Sequence, residues 1–362
     1  MTVKPLRVAV VGTGHWAVDV QIPGLQRAGA QVVAVCGRSD ERRRGVAQRF
    51  GIAQDFADWR EMLEAVQADA VTVATPNDLH APISVAAAEK GFHICCEKPL
   101  ATNVADARAA WQAARNLVTM IGFSHRFVPA AQFLKEMLDA GELGEIRHIF
   151  AHMLQGGLAD PSSPARWRLN RAQAGGGALY DLGSHLLDLV VWYGGDIARM
   201  AGHLKTFVAE RPLPQGGTTT VDVDDAASAL AEFAGGATGT FTVSRYVVGA
   251  TSTFGTQGVT VAGGKATAMY DPGRMHSLLV ASAKGAFREV EAPARLRLAS
   301  EDLRAQLPGA MMSRFVAGAL AGKRVRPDFE DGLRAQILME AWERSHHAGA
   351  WVEVPPLPEV GG

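Results

Sequence analysis

The reading of the N-terminal half grows from Leu6-Arg7-Val8-Ala9-Val10-Val11-Gly12-Thr13-Gly14-His15-Trp16-Ala17. The apolar run 6–11 is short and rich in β-branched residues, as expected of a strand buried on both faces. It ends in G-x-G-x-x-A, and a helical pattern over 16–28 follows. In that setting Gly12 allows the tight turn, Gly14 lets a pyrophosphate approach the backbone, and the small Ala17 permits close helix–sheet packing. Amides at the helix start then face the phosphates. Gly12, Thr13, Gly14, His15 and Trp16 are expected to hold a dinucleotide, the last two more through backbone than side chain. The alternative is a glycine turn without a ligand.

Working outward, apolar runs at 32–36, 70–74, 93–96 and 118–122 read as further strands. Helical stretches at 41–50, 59–66, 82–90 and 104–116 alternate with them. Asp58 with Glu61 resembles a capping box, and Thr102 or Asn103 suits another helix start. This βαβαβ alternation predicts a doubly wound parallel sheet, a Rossmann domain, over residues 1–123. Beyond it the pattern changes. A helix is expected over 130–140 and a strand over 146–154. A Pro-, Ser- and Arg-rich loop covers 161–171, and a glycine triplet, Gly175–Gly177, opens a helix running through Tyr193. Residues 199–290 are mostly strand-like, with a hairpin joining 226–233 to 238–245 through Ala234-Gly235-Gly236-Ala237. A helix over 332–348 and a strand over 350–354 close the chain. Residues 124–362 therefore read as an α+β domain with a mostly antiparallel sheet.

Composition excludes several classes. At 362 residues the chain has room for two domains. Lys+Arg number 36 and Asp+Glu 37, a net charge of −1, so no excess of either sign is available for nucleic acid or an anionic membrane. With 48% hydrophobic and 20% charged residues, a sizeable core forms and bulk disorder is excluded. Cys36, Cys95 and Cys96 form neither a disulfide framework nor a zinc set, so no metal is expected and the cytoplasm is the expected compartment. No apolar run approaches the length of a membrane span.

The end of the second strand bears on the cofactor. An acidic residue there bonds the adenine ribose of NAD. Here Gly37-Arg38-Ser39 stands instead, followed by Asp40 and Arg42-Arg43-Arg44. Arg38 and Ser39 suit a 2′-phosphate, which favours NADP over NAD. The alternative leaves the arginines on a solvated helix start and gives the ribose to Asp40. Further on, Glu97-Lys98-Pro99 ends the strand at 93–96, where ligands of open α/β sheets sit. Asp181 and His185 lie four apart, on one face of the helix expected there, with Asp188 near the same stripe. An isolated D-x-x-x-H is most often an ordinary helix pair, and a lone lysine is as readily surface as site.

Together these pieces resemble the Gfo/Idh/MocA oxidoreductases, the glucose–fructose oxidoreductase and inositol dehydrogenase group. The matching residues are Gly12–Ala17, Thr75-Pro76-Asn77 with His80, Glu97-Lys98-Pro99, Arg126 in Ser124-His125-Arg126-Phe127, Gly141–Ile146, Trp167-Arg168 and the glycine run through Asp181 and His185. Val223-Asp224-Asp225 and Gly255-Thr256-Gln257-Gly258 are similar to the family's later strands. The resemblance implies a second domain with an open-faced sheet, helices on one side, and a homodimer or homotetramer through the bare face. It implies Lys98, Asp181 and His185 as the catalytic group. Thr75, Pro76, Asn77, His80 and Glu97 would flank the nicotinamide, with Trp167 and Arg168 approaching from the second domain. It also implies a cis peptide at Lys98–Pro99.

The expected activity is NAD(P)-dependent hydride transfer between the nicotinamide and a carbinol or carbonyl carbon of a sugar, polyol or related small molecule. His185 suits the proton transfer because it titrates near neutrality, and Asp181 suits orienting it. Lys98 suits holding the reacting oxygen. Arg126 is a further substrate candidate, with a surface role as its alternative. Two non-redox readings stand beside this one: a dinucleotide-sensing regulatory module, and a glycosidase with a tightly held NAD. His346-His347 reads as a helix end rather than a metal site.

Overall fold

The computed structural model describes residues 4–250, 256–298 and 303–358. Gly255 of the expected late motif lies outside them. The residues group into two compact units, Met1–Ser124 with Asp302–Leu333, and His125–Glu301 with Arg334–Gly362. The contiguous division at 123/124 expected from sequence differs from this grouping at Ser124 and over 302–333, both of which fall in the first unit.

The first unit is a six-stranded parallel sheet of β1 (Arg7–Val11), β2 (Gln31–Cys36), β3 (Gln54–Phe56), β4 (Ala70–Val73), β5 (His93–Cys96) and β6 (Thr119–Ile121). Its order is β3-β2-β1-β4-β5-β6, the doubly wound order of dinucleotide-binding sheets. Strands β1, β4 and β5 are mostly apolar and, beyond Arg7 and His93 at the starts of β1 and β5, buried, because helices cover both faces. The caps follow the residue chemistry. Asp58 accepts from the Arg60 amide at 2.6 Å and Asn103 from the Asp106 amide at 2.9 Å. The 19-residue helix Leu303–Ala321 packs against the helix Ile22–Arg27. The chain then passes the edge strand β6, where the Ile121 amide donates to the Pro327 carbonyl at 3.1 Å.

The second unit holds a nine-stranded mixed sheet. Its strands are β7 (Ile146–Leu154), β8 (Ile197–Lys205), β11 (Ala226–Phe233), β12 (Thr238–Ser244), β13 (Thr256–Gly263), β14 (Ala266–Tyr270), β15 (Ser277–Ser282), β16 (Arg288–Glu291) and β17 (Val352–Glu353). The two short strands β9 (Glu210–Pro212) and β10 (Thr218–Thr220) pair apart from it. The order is β16-β15-β14-β13-β7-β12-β11-β8-β17, and only β7 with β12 runs parallel. Helix Ser184–Gly194 packs on β7. On the opposite face one row crosses the sheet in register: Met269, Thr260, Phe150, Thr240, Leu230 and Ala201. Phe150 and Leu230 in that row are each 51% exposed.

Two short π-helical turns interrupt the regular helices, Ala17–Gln21 after the glycine turn and Leu179–Gly183 before Ser184–Gly194. Single π turns of this kind gather at functional sites. The expected helix from the glycine triplet to Tyr193 begins with the π turn, which runs directly into the regular helix Ser184–Gly194, and a separate short helix, Arg171–Ala174, precedes the triplet.

Candidate active site

In the first unit the candidate residues meet at the carboxyl ends of β1, β4 and β5. Gly14 and His15 are exposed in the turn after β1. Trp16, on the same turn, donates its indole N–H to the Glu97 carboxylate. The Gln21 amide donates to the same carboxylate oxygen at 2.8 Å. Glu97 is therefore a bracket between the glycine turn and the Glu-Lys-Pro segment, and Lys98 emerges next to it, half-buried. The Lys98–Pro99 peptide is cis. His80 is buried beneath, with Nδ1 2.7 Å from the Pro99 carbonyl oxygen and Nε2 3.0 Å from that of Thr75. Both segments are braced by one imidazole, and Thr75 donates its hydroxyl to the Pro76 carbonyl at 3.1 Å. Asn77 is buried on the following turn.

Burial pushes the Glu97 carboxyl up to about 7, against the opposing pull of Gln21, Lys98 and Trp16. An acid whose folded value is raised adds stability that is complete below its unfolded value, near 4.5. That stability is lost as pH rises through the folded value near 7. Glu97→Gln removes the titration, so its unfolding free energy relative to the wild type is expected to rise between pH 5 and pH 8 by roughly the few kcal/mol that such a shift represents, with its relative melting temperature rising in step. A difference that stays flat across this range in parallel thermal melts overturns the assignment.

At the end of β2, Arg38 and Ser39 are exposed, and Ser39 caps the next helix by accepting from the Arg42 amide at 3.4 Å. A side chain at position 37 would press on Thr13, because a Cβ there comes within 2.5 Å of Thr13 Cγ2. Asp40 is tied to Arg43 at 2.8 Å, and Arg43 turns inward to Asp55 and to the Gly37 carbonyl, 2.5 and 3.1 Å away. These residues fit a dinucleotide: an open glycine turn leads into a helix, with a cation and a hydroxyl beside the strand that carries the adenosine half.

In the second unit, Asp181 lies on the π turn and His185 on the first turn of the regular helix. Asp224 fixes the start of this segment. Its carboxylate accepts from the Gly177 amide at 2.7 Å and the Leu179 amide at 2.8 Å, and its carbonyl accepts from Ala178 at 3.0 Å. Gly177 has no room for a side chain, because a Cβ would collide with the Asp224 backbone. Burial pushes the Asp224 carboxyl up, and its two backbone donors pull it down. Arg126 is buried and directs two nitrogens onto Asp188, at 2.6 and 2.8 Å, with its guanidinium 5.3 Å from the centre of the Trp192 ring. The fork expected to meet substrate anions is engaged with an internal carboxylate. His125, beside it, sets its ring 4.5 Å from the ring of His185.

The loop carrying Trp167 and Arg168 is held from within. Buried Arg211 donates to the carbonyls of Leu158 at 2.6 Å and Asp160 at 2.8 Å. Arg168 is exposed and lies 4.3 Å from the centre of the Trp167 ring. Asp224, His125 and Arg211 were not singled out as site residues from sequence, since their partners are distant in the chain. Among the described residues no group of three or more His, Cys, Asp or Glu is placed to hold a metal. No helix there is long and apolar enough to cross a membrane.

Comparison with known proteins agrees with this architecture. Residues 6–125 match the model of an oxidoreductase family with an NAD-binding Rossmann fold, and residues 131–269 match the Gfo/Idh/MocA C-terminal domain. The chain is 32% identical over 344 residues to levoglucosan dehydrogenase of Pseudarthrobacter phenanthrenivorans, covering 86% of each chain. It is 36% identical over 197 residues to D-glucoside 3-dehydrogenase of Escherichia coli, covering 53% of this chain and 55% of that protein. A solved levoglucosan dehydrogenase in complex with NADH and levoglucosan superposes with a TM-score of 0.90 at 29% identity, covering 98% of this chain and all of that one, 100%. The ordered sheets, the two motif-bearing units and these likenesses together make the chain a member of the Gfo/Idh/MocA family of NAD-binding oxidoreductases.

Proposed function

We propose that this enzyme oxidises a secondary carbinol of a sugar or anhydrosugar, or reduces the corresponding carbonyl, with Lys98, Asp181 and His185 as its catalytic group. The observation that carries the reading lies within the first unit. The indole of the glycine turn and the residue next to Lys98 share one carboxylate bracket, Trp16 to Glu97, so the ammonium is built into the dinucleotide-binding edge of the sheet. The nicotinamide, when bound, supplies the hydride acceptor. Lys98 holds the reacting oxygen and stabilises its developing charge. His185 takes the hydroxyl proton, and returns it in the reverse direction. Asp181 orients the imidazole or stabilises its charged form. The relatives named for levoglucosan and D-glucosides support a sugar-like substrate.

The dinucleotide is bound by the turn of Gly12, Thr13, Gly14, His15 and Trp16, by Arg38 and Ser39 at the adenosine end, and by Thr75, Pro76, Asn77, His80, Glu97 and Lys98 around the nicotinamide. Trp167 and Arg168 complete the site. We assign the preference to NADP. Position 37 is glycine, where a side chain would press on Thr13, Asp40 is occupied by Arg43, and Arg38 has no ion-pair partner among the described residues. Arg126 serves the site by anchoring the helix of His185 through its two bonds to Asp188. The exposed row through Phe150 and Leu230 supports association of a homodimer or homotetramer through the open sheet face. The three free, buried thiols support a reducing compartment, the cytoplasm.

The test is a panel of levoglucosan, glucosides, polyols and ketoses with NADP and NAD, followed at the nicotinamide absorbance. Net reduction of cofactor is expected, with a lower KM for the NADP form, and Arg38→Ala is expected to narrow the difference about tenfold, the worth of one charge-assisted hydrogen bond. An equal preference, or one untouched by Arg38→Ala, overturns the NADP assignment. Sugar release without net cofactor change overturns the redox reading. Light scattering of the same sample is expected to give a multiple of the 38.4 kDa chain mass, and a monomer overturns the association.

A further inference from the structure

We propose that the indole of Trp16 is the seat of the nicotinamide ring, and that its bond to Glu97 makes this seat favour the oxidised, cationic cofactor over the reduced one. The inference rests on the dinucleotide reading of the first unit given above. The two side chains at the start of the first helix diverge. His15 pairs with Asp19 at 2.6 Å, and both are exposed. Trp16 instead reaches across the sheet and donates its indole N–H to Glu97. Strand β4 lies between β1 and β5, so a bond from the turn after β1 to the residue after β5 bridges the carboxyl end of β4. That edge is where ligands of open α/β sheets sit.

The ring is held firmly at one side and open elsewhere. Glu97 is 8% exposed, and Gln21, which donates to the same carboxylate oxygen, is 0% exposed. The other carboxylate oxygen packs against Gly122, where a Cβ would come within 2.6 Å of it. Trp16 itself is 38% exposed. A large apolar ring pinned through its N–H to a buried carboxylate, yet open to solvent, is a platform rather than part of the core. The face of an indole attracts cations more strongly than any other side-chain ring. A nicotinamide ring is cationic when oxidised and neutral when reduced. The carboxylate that accepts the indole proton enriches the ring in electrons, and its own charge acts through poorly screened surroundings. Both effects favour the oxidised form. The neighbouring charges leave this balance in place. Lys98, the next residue, is a cation whose repulsion of the pyridinium the carboxylate offsets. The Cys95 and Cys96 thiols are pushed up by burial and stay neutral.

The test is calorimetric titration of the oxidised and the reduced cofactor, NADP or NAD according to which binds more tightly. It is run at pH 8, above the value of about 7 to which burial raises the Glu97 carboxyl. The quantity read is the ratio of the two Kd values. Trp16→Leu is expected to shift that ratio about tenfold against the oxidised form, the loss of one largely desolvated cation–π contact. Trp16→Phe keeps a weaker ring without the N–H and is expected to shift it about threefold. Glu97→Gln keeps an acceptor for the indole and removes the charge, and is expected to shift the ratio in the same direction. A ratio within about twofold of the wild type in both Trp16 variants, or equal weakening of both cofactor forms, overturns the proposal. Wild-type protein that binds neither form removes the underlying dinucleotide reading, whereas tight binding of both with unmoved ratios removes only the role of Trp16.

Discussion

His185→Ala is expected to lower kcat for carbinol oxidation by about 10²–10⁴, the usual loss when a positioned general base is removed. Lys98→Ala is expected to lose about 10²–10³, because the developing oxyanion loses its cation. Dinucleotide binding, measured by quenching of tryptophan fluorescence, is expected to persist in both, somewhat weakened in Lys98→Ala, since the glycine turn and the Trp16–Glu97–Gln21 bracket are retained. The two losses combined in one variant are expected to fall well short of multiplying, because the groups act on a single oxygen and its proton. Turnover of either single variant near that of the wild type refutes its assigned role.

Asp188→Ala is expected to destabilise the protein by about 3–5 kcal/mol, the cost of leaving a buried charge without its partner. The guanidinium of Arg126 has 8% and the carboxylate of Asp188 1% side-chain exposure, so water cannot substitute for the missing anion. The loss is read from urea denaturation as a lowered midpoint. Replacing both partners by apolar residues of similar size, Arg126→Met with Asp188→Leu, is expected to recover most of it. A loss below about 1 kcal/mol in Asp188→Ala would put the pair in the weak class of surface bridges. Activity gives an independent reading: the double variant is expected to fold yet to turn over slowly, because the pair anchors the helix that carries His185.

The parts readable from sequence were those whose cause is local. A buried strand running into G-x-G-x-x-A needs only neighbouring residues to state its structure, and β1 with its turn follows directly. Asn103 and Asp58 cap the helices they precede for the same reason. The short edge strand β3 escaped notice because Gln54 and Asp55 are exposed and carry no apolar alternation. The helix Leu303–Ala321 was missed although Leu307, Met311, Met312, Phe315, Val316 and Ala319 are spaced for one buried face. Pro308-Gly309 near its start is a turn signal that works against that periodicity. In the site, Lys98 and the Asp181/His185 pair stood out through motif and spacing. Asp224 did not, because its work is to cap Gly177 and Leu179 from a strand end far along the chain. His80 stood out through its motif, but the bracing of two separated segments by its ring did not, because the Thr75 and Pro99 carbonyls are brought together only in the fold. The π turn was unreadable as well, since Leu-Tyr-Asp-Leu-Gly suits an ordinary helix equally and the extra residue is imposed by packing.

The late return of 302–333 to the first unit sets an order on biogenesis. A ribosome delivers the six parallel strands early, but the helix that covers Ile22–Arg27 and the segment that caps the edge at β6 arrive only after the whole second sheet has been made. The nascent nucleotide-binding layer waits in the meantime with apolar surface uncovered, a natural client for a chaperone. A nonsense codon anywhere before that return would strand it in this state, so that loss of the tail costs the cell its cofactor fold, at the other end of the message.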